Sequence, residues 1–414
     1  MGMYSTWATY GERYKVGNDV ISNKFSIEEK KFIIGISFIL GMRQFGMMLV
    51  TPFISIYGNT LKGNTPALIG LALGIYGLTQ GCFQIPYGFL SDKIGRKPVI
   101  LLGIVLQIAG FTVAFYAKSV VIFIFARALQ GSGAINSVAL SWTGDSIDRN
   151  KINKCMGIIS TVSSVAIGVS LIGGSFMQKV LTIPQIFLFC AFISVLSWFY
   201  ILLVLKEDRK LNLKSEDIKQ EENKYPIKVV LLNKHLNRLY VTGFISNFML
   251  MAMFYILPQV SDKVYGSGGM WKVFVPAIVL VFFVVKIVNK YADKGKEALI
   301  QVIIFVGFIV SVPCLFTSNW FMVSAGVIIF FTGVMCQYAL ITAGINTIAD
   351  ERYRGSINGI CNAMQFIGSF MGGTLTGIFW GMGLHFSMEM LMTVCIIGAM
   401  ISGTGIKEKI NKLN

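Results

Sequence analysis

Arg43 and Arg127 carry the most unusual chemistry in this sequence, because each falls inside a long apolar run. A guanidinium stays charged and presents five donors. A cation at the centre of a membrane helix costs about 2.5–3.5 kcal/mol on insertion scales. No Asp or Glu lies in the central part of any apolar run, so neither arginine has a carboxylate at its own depth. Three kinds of partner are open to them: carbonyls and amides such as Gln80, Gln84 and Gln130, water, or a bound anion. The anion reading predicts that both arginines border a central cavity and favour a negatively charged solute. The competing reading has Arg127 only bracing its helix against the first one. The missing carboxylate also takes the usual proton carrier out of the membrane core. Glu389 sits near the end of a run, and His235 and His385 fall in loops.

Other polar side chains recur at helical spacing. Tyr76, Gln80 and Gln84 share one face, and Asn358, Asn362 and Gln365 share another. Gln337, Thr342 and Asn346 fall in one run, Asn247 and Tyr255 in another. At this spacing they line a cavity or bind neighbouring helices. The expected substrate-binding set is Arg43, Tyr76, Gln80, Gln84, Arg127, Gln130, Asn247, Gln337, Asn362 and Gln365. No His, Cys and acid cluster, P-loop or metal-ligand spacing is present, so no enzyme, metal or cofactor is expected. The seven cysteines form no C-x-x-C pair and read as small packing residues.

The elements that hold these groups follow from composition. Hydrophobic residues make up 54% and charged residues 14% of the 414 positions, where soluble domains carry about 25% charge. Lipid is therefore the expected solvent. A bilayer needs about 20 apolar residues per helix. Twelve such segments are predicted, near 33–56, 67–90, 98–117, 120–142, 156–178, 184–205, 239–259, 272–289, 298–317, 320–346, 356–379 and 386–405. They must be helical, because open strands would leave backbone groups unpaired in lipid. The fold class is thus an all-α membrane protein of twelve transmembrane helices in two six-helix bundles.

Basic residues set the orientation. The two tails, the central insertion and the loops on the same face hold 29 Lys and Arg, the opposite face five. Both termini are expected in the cytosol. The net charge of +16 is then a topology signal that also suits anionic lipid headgroups, and it argues against nucleic acid. Residues 1–31 read as a cytosolic tail, 32–205 as the first bundle, and 206–238 as a polar linker, partly an amphipathic surface helix. Residues 239–406 read as the second bundle and 407–414 as a cytosolic tail. The halves echo each other: Asp92 and Asp293 are 201 residues apart, Asp145 and Asp350 are 205 apart, and Gly157 and Gly359 are 202 apart. Parallel six-helix repeats around a midplane site are a known transporter design.

After the second segment the chain reads Gly88-Phe89-Leu90-Ser91-Asp92-Lys93-Ile94-Gly95-Arg96-Lys97-Pro98. This resembles the signature of the major facilitator superfamily, G-x-L-x-D-x-x-G-R-[KR], at every defined position. Arg127-Ala128-Leu129-Gln130-Gly131-Ser132-Gly133 resembles that family's R-x-x-Q-G-x-G. The run Gly74 to Pro86 and Met270-Trp271-Lys272-Val273 resemble the YajR-like subgroup of effluxers, whose soluble C-terminal domain is not expected here. The resemblance implies a gate made of Gly88, Asp92, Gly95, Arg96 and Asp145, with Asp293 and Asp350 as second-half counterparts. It implies that Arg96 pairs with Asp145 and that Asp92 meets the start of span 11 when the carrier is open outward. Glycines on spans 2 and 11 would let these helices pack closely and slide. Antiporters of the family often carry a Gly-Pro motif in span 5, whereas this span has Gly168, Gly173 and Gly174 without proline.

The expected function is secondary active transport of a small organic solute by alternating access. Efflux coupled to an ion gradient is the first reading, with the proton as candidate ion. Uptake or exchange of an organic anion or nutrient is the alternative. The expected partners are the solute and membrane lipids, the expected state a monomer, and the expected place a bacterial inner membrane. A channel ranks below both, because no filter or charge ring is visible.

Overall fold

A computed structural model of the chain describes residues 25–205, 207, 233–266, 269–292, 294–348 and 354–411. The predicted amphipathic stretch of the linker, Asp293 and Asp350 lie outside the described residues. The described residues form fourteen α-helices and two short 3-10 turns. The first half contains α1 (Ile27–Val50), α2 (Ile54–Thr60), α3 (Pro66–Ile94), α4 (Arg96–Tyr116), α5 (Val120–Ser132), α6 (Asn136–Ser146), α7 (Ile152–Met177) and α8 (Ile183–Val204). The second contains α9 (Lys234–Tyr265), α10 (Trp271–Ala292), α11 (Glu297–Leu315), α12 (Trp320–Ile348), α13 (Arg354–Met382) and α14 (Leu384–Asn411). Spans 1 and 4 each comprise two helices, and every other span is one. Eleven of these segments are long and apolar enough to cross a membrane. The twelfth, α13, is 29 residues long and rich in glycine and amide side chains.

Local sequence explains the helix ends. Ser26 and Glu29 form a capping box at the start of α1, each bonding the other's amide at 3.0 and 2.7 Å. Thr65 caps α3, with Pro66 in its first turn. Asn233 accepts from His235 and Leu236 at the start of α9. Gly95, at φ 102°, ends α3 and begins α4 in a single residue, a conformation that favours glycine.

Two spans expected to be continuous are interrupted. A 3-10 turn at Thr51–Phe53, around Pro52, separates α1 from α2. Span 4 breaks between Ser132 and Asn136, where the chain runs against its neighbours. A Cβ at Gly133 would stand 2.5 Å from the Gly103 carbonyl oxygen, and one at Gly131 would collide with the Tyr76 carbonyl. Irregular backbone at membrane depth is tolerated where protein encloses it.

The apolar core shows how the halves meet. One large buried cluster is continuous across them, running from Phe53, Ile54 and Tyr57 to Phe254, Tyr255 and Phe274. Toward the end that carries the signature loop, two smaller clusters stand apart. One holds Ile36, Val99, Ile135 and Trp142 of the first half, the other Leu239, Tyr240, Ile341 and Ile357 of the second. The halves therefore share a core at the far end and keep separate cores at the signature end.

Candidate substrate cavity and gate

The break in span 4 places Asn136 at the first position of α6, and its Oδ1 accepts from Arg43 Nη1 at 3.0 Å. Arg43 Nη2 donates to the Tyr76 hydroxyl at 3.3 Å. The third edge, Nε, is buried and has no hydrogen-bond partner among the described residues. Arg43 also lines a small cavity of about 10 Å³ with Ile39, Met42, Ile104, Gln107, Ser194 and Ser197, room for about one water molecule. Arg43 is thus a buried cation with an unfilled donor.

Arg127 behaves differently. It is 1% exposed. Its Nη1 donates to Gln130 Oε1 at 2.6 Å and its Nε to the Ala72 carbonyl at 3.3 Å. The guanidinium also lies 5.0 Å from the centre of the Tyr76 ring, a cation–π arrangement. It braces α5 against α3, so the predicted brace to span 1 is replaced by one to span 2. Arg127 does not border open space. Burial without a carboxylate is tolerable because protein dipoles and a ring face take the charge.

In the second half, Asn247 Oδ1 accepts from the Tyr338 hydroxyl at 2.8 Å and from Ser369 Oγ at 3.4 Å, joining α9, α12 and α13. Gln365 is half-buried and reaches Cys361 Sγ at 3.6 Å, while Asn362 is exposed. Gln80 and Gln337 are 3% and 0% exposed, and neither amide atom of Gln337 has a partner among the described residues. Gln84 is half-buried, and its carbonyl accepts from Ser137 at 3.2 Å. Of the predicted residues, the contacts join Arg43, Tyr76, Arg127 and Gln130, whereas Asn247 bonds Tyr338 and Ser369, which lie outside the predicted set. Asn136, which bonds Arg43, lies outside it too. Only Asn136 had a signal, its place three residues after Gly133 in a glycine-interrupted run. Lys286 was also missed. It falls inside the predicted span 272–289 and lies on α10 six residues before the end, exposed, with its ammonium 4.1 Å from the Phe282 ring centre.

The signature residues form a compact ionic site. Arg96 is 5% exposed. It donates through Nε to Asp145 at 2.9 Å, and through Nη1 to Asp92 and Ser91 at 2.6 Å each. Asp145 ends α6 and Asp92 ends α3, so one guanidinium ties three spans of the first half. Nearby, Lys151 bridges Glu29 at 3.1 Å and Asp148 at 3.2 Å, and its hydrogen bond to Glu29 pushes the ammonium pKa up.

Among the described residues, contact between the halves differs at the two ends of the molecule. At the far end α3 and α13 touch backbone to backbone: Cβ atoms at Gly70 and Gly74 would stand 2.5 Å from the carbonyls of Gly373 and Phe370. Tyr255 donates to the Pro66 carbonyl at 3.2 Å across the halves. Phe176 and Trp271 stack at 5.3 Å, with Lys179 over both rings. Moving toward the signature, contact fades along the same faces. At Gly81 the nearest atom to an added Cβ is 3.3 Å away, and at Gly88 on α3 and Gly359 on α13 nothing among the described residues lies within 4 Å. The Arg96–Asp145 pair is nevertheless formed. It lies within the first half.

A sequence profile described as Major Facilitator Superfamily matches residues 36–373. The chain belongs to the Major Facilitator Superfamily. Over 383 residues it is 31% identical to the inner membrane transport protein YajR of Escherichia coli, covering 90% of this chain and 83% of that protein. It is 24% identical to multidrug resistance protein 2 of Bacillus subtilis over 91% of this chain and 95% of that one. Among solved structures it is similar to a bacterial homologue of the human lysosomal transporter Spinster in an inward-facing, occupied conformation. That match has a TM-score of 0.74 at 13% identity and covers 93% of this chain and 98% of the other. As a superfamily member the chain is a multi-pass membrane transporter with the twelve-helix fold, and not an enzyme.

Proposed function

We propose that this carrier exports a small organic solute by alternating access, driven by an ion gradient, with both termini and the signature loop in the cytosol. The observation that carries alternating access is the core that is shared at one end and split at the other. Two bundles joined in this way can rock about the midplane, closing the end that is now open. The excess of Lys and Arg on the signature side makes that open end cytosolic, so the present conformation is the one that loads from inside. Export is supported by the similarity to multidrug resistance protein 2. A second reading, exchange of an organic anion, is favoured by Arg43, whose Nε has no partner.

A panel of solutes in proteoliposomes, with pH gradients of either sign, tests both readings. Export by proton antiport predicts solute movement against the proton flow, and uptake predicts movement with it. Solute flux that ignores gradients of either sign refutes proton coupling. Arg43→Gln then separates the solute classes. It abolishes transport if an anion binds there, and leaves a neutral or cationic solute moving at its normal rate if none does.

A further inference from the structure

Glu207 reaches the signature site from beyond the end of α8. Glu207 stands three positions beyond Val204, the last residue of α8. Its carboxylate accepts from the backbone amides of Arg96 at 2.5 Å and Lys97 at 3.1 Å. These are the first two residues of α4, whose N-cap is Gly95 and offers no side chain. The opening amides of a helix have no partner within it, and here an acid from a distant part of the chain supplies one. The exchange runs both ways. Lys97 Nζ donates to the carbonyls of Leu202 at 3.0 Å and Leu205 at 2.6 Å, where α8 ends. An anion thus caps the positive end of α4 while a cation from α4 caps the negative end of α8.

Gly95 makes room for this arrangement. A Cβ there would stand 2.9 Å from Glu207 Oε2, so a side chain would push the carboxylate off the amides. The charges fit as well. Arg96 and Lys97 set two cations at the positive end of a helix dipole, an unfavourable placement, and the carboxylates of Asp92, Asp145 and Glu207 surround that end.

We propose that Glu207 is a positioning residue of the gate. By holding the first amides of α4, it fixes where residue 96 begins, so that one guanidinium reaches Asp92 and Asp145 together. It also anchors the start of the linker to the signature loop, which makes the loop and the end of span 6 move as one body. This rests on reading the signature loop as a gate, but its test needs no substrate.

The test is hydrogen exchange on the purified full chain, read at the amides of Arg96 and Lys97, combined with a thermal unfolding cycle. Glu207→Ala speeds exchange at those two amides by about tenfold or more, with no change in the far-end helices. Glu207→Gln keeps an acceptor and shows a smaller increase. Arg96→Ala lowers the melting temperature. Glu207→Ala lowers it further in the native background and clearly less in the Arg96→Ala background, because positioning matters only while the guanidinium is present. Unchanged exchange in Glu207→Ala overturns the cap. An equal loss of melting temperature with and without Arg96 overturns the positioning role and leaves only a local cap. Should Glu207→Ala fail to fold, the same two readings are taken on Glu207→Gln.

Discussion

Gly74→Ala adds one methyl group at the closed end of the carrier. Its Cβ would stand 2.5 Å from the Phe370 carbonyl oxygen and 3.0 Å from Thr374 Oγ1. Ordinary contact begins at 3.4 Å, so α3 and α13 must separate by roughly an ångström. The obstacle is backbone and cannot rotate away. Overpacking of this kind costs about 1–3 kcal/mol. The cost falls on the state in which these helices touch, and is relieved when the far end opens. The equilibrium should therefore shift toward the opposite conformation by about 5- to 150-fold. Gly88→Ala acts in the other direction. Nothing lies within 4 Å of its Cβ now, but Gly88 continues the face of α3 that meets α13, so closing the signature end would bring the methyl against that helix. Spin labels in place of the exposed Lys154 on α7 and Lys290 on α10 report the width of the signature end. The background should lack Cys82 and Cys314, the two cysteines that are not buried. Gly74→Ala should shorten the label distance and Gly88→Ala should lengthen or preserve it. Identical distance distributions in the native chain and in a folded Gly74→Ala variant would refute the argument that these glycines set the balance between states.

Arg127→Gln should lower thermal stability by about 1–3 kcal/mol, because it takes the donor from buried Gln130 Oε1, while the Ala72 carbonyl keeps its bond within α3. Arg43→Gln should cost less, since one of its donors is already unused, and thermal unfolding of both variants checks the order. Asp145→Asn should destabilise the carrier more than Asp92→Asn, because the Asp145 side chain is 14% exposed and that of Asp92 41%, and exposed ion pairs contribute about 0–1 kcal/mol. The reverse order would mean that Arg96 depends chiefly on the end of α3 rather than on α6. Asp92→Asn should still slow solute flux in proteoliposomes more than it lowers the melting temperature. Cysteines introduced between residues 206 and 238 should react with impermeant thiol reagent only from the cytosolic side, and labelling from outside the cell would reverse the proposed orientation.

The membrane class, the helix count and the family signature were legible in the sequence because each rests on a local pattern. Apolar runs of bilayer length must be helices wherever they fold, and ten consecutive residues suffice to display the signature at Gly88–Lys97. The Arg96–Asp145 pair followed from family likeness. What the sequence could not determine depends on distances between segments far apart in the chain. Arg43 and Arg127 look equivalent as buried guanidinium groups, and only the fold decided that Arg127 is enclosed by α3 and α5 while Arg43 keeps a free donor beside Asn136. The interruption of span 4 was hidden because Gly131 and Gly133 read equally well as helix packing or helix break. The closeness of Tyr76 and Gly103 selects the break. Which end of the carrier stands open is a property of the contact between the halves, and a chain built to adopt both states carries the pattern for each.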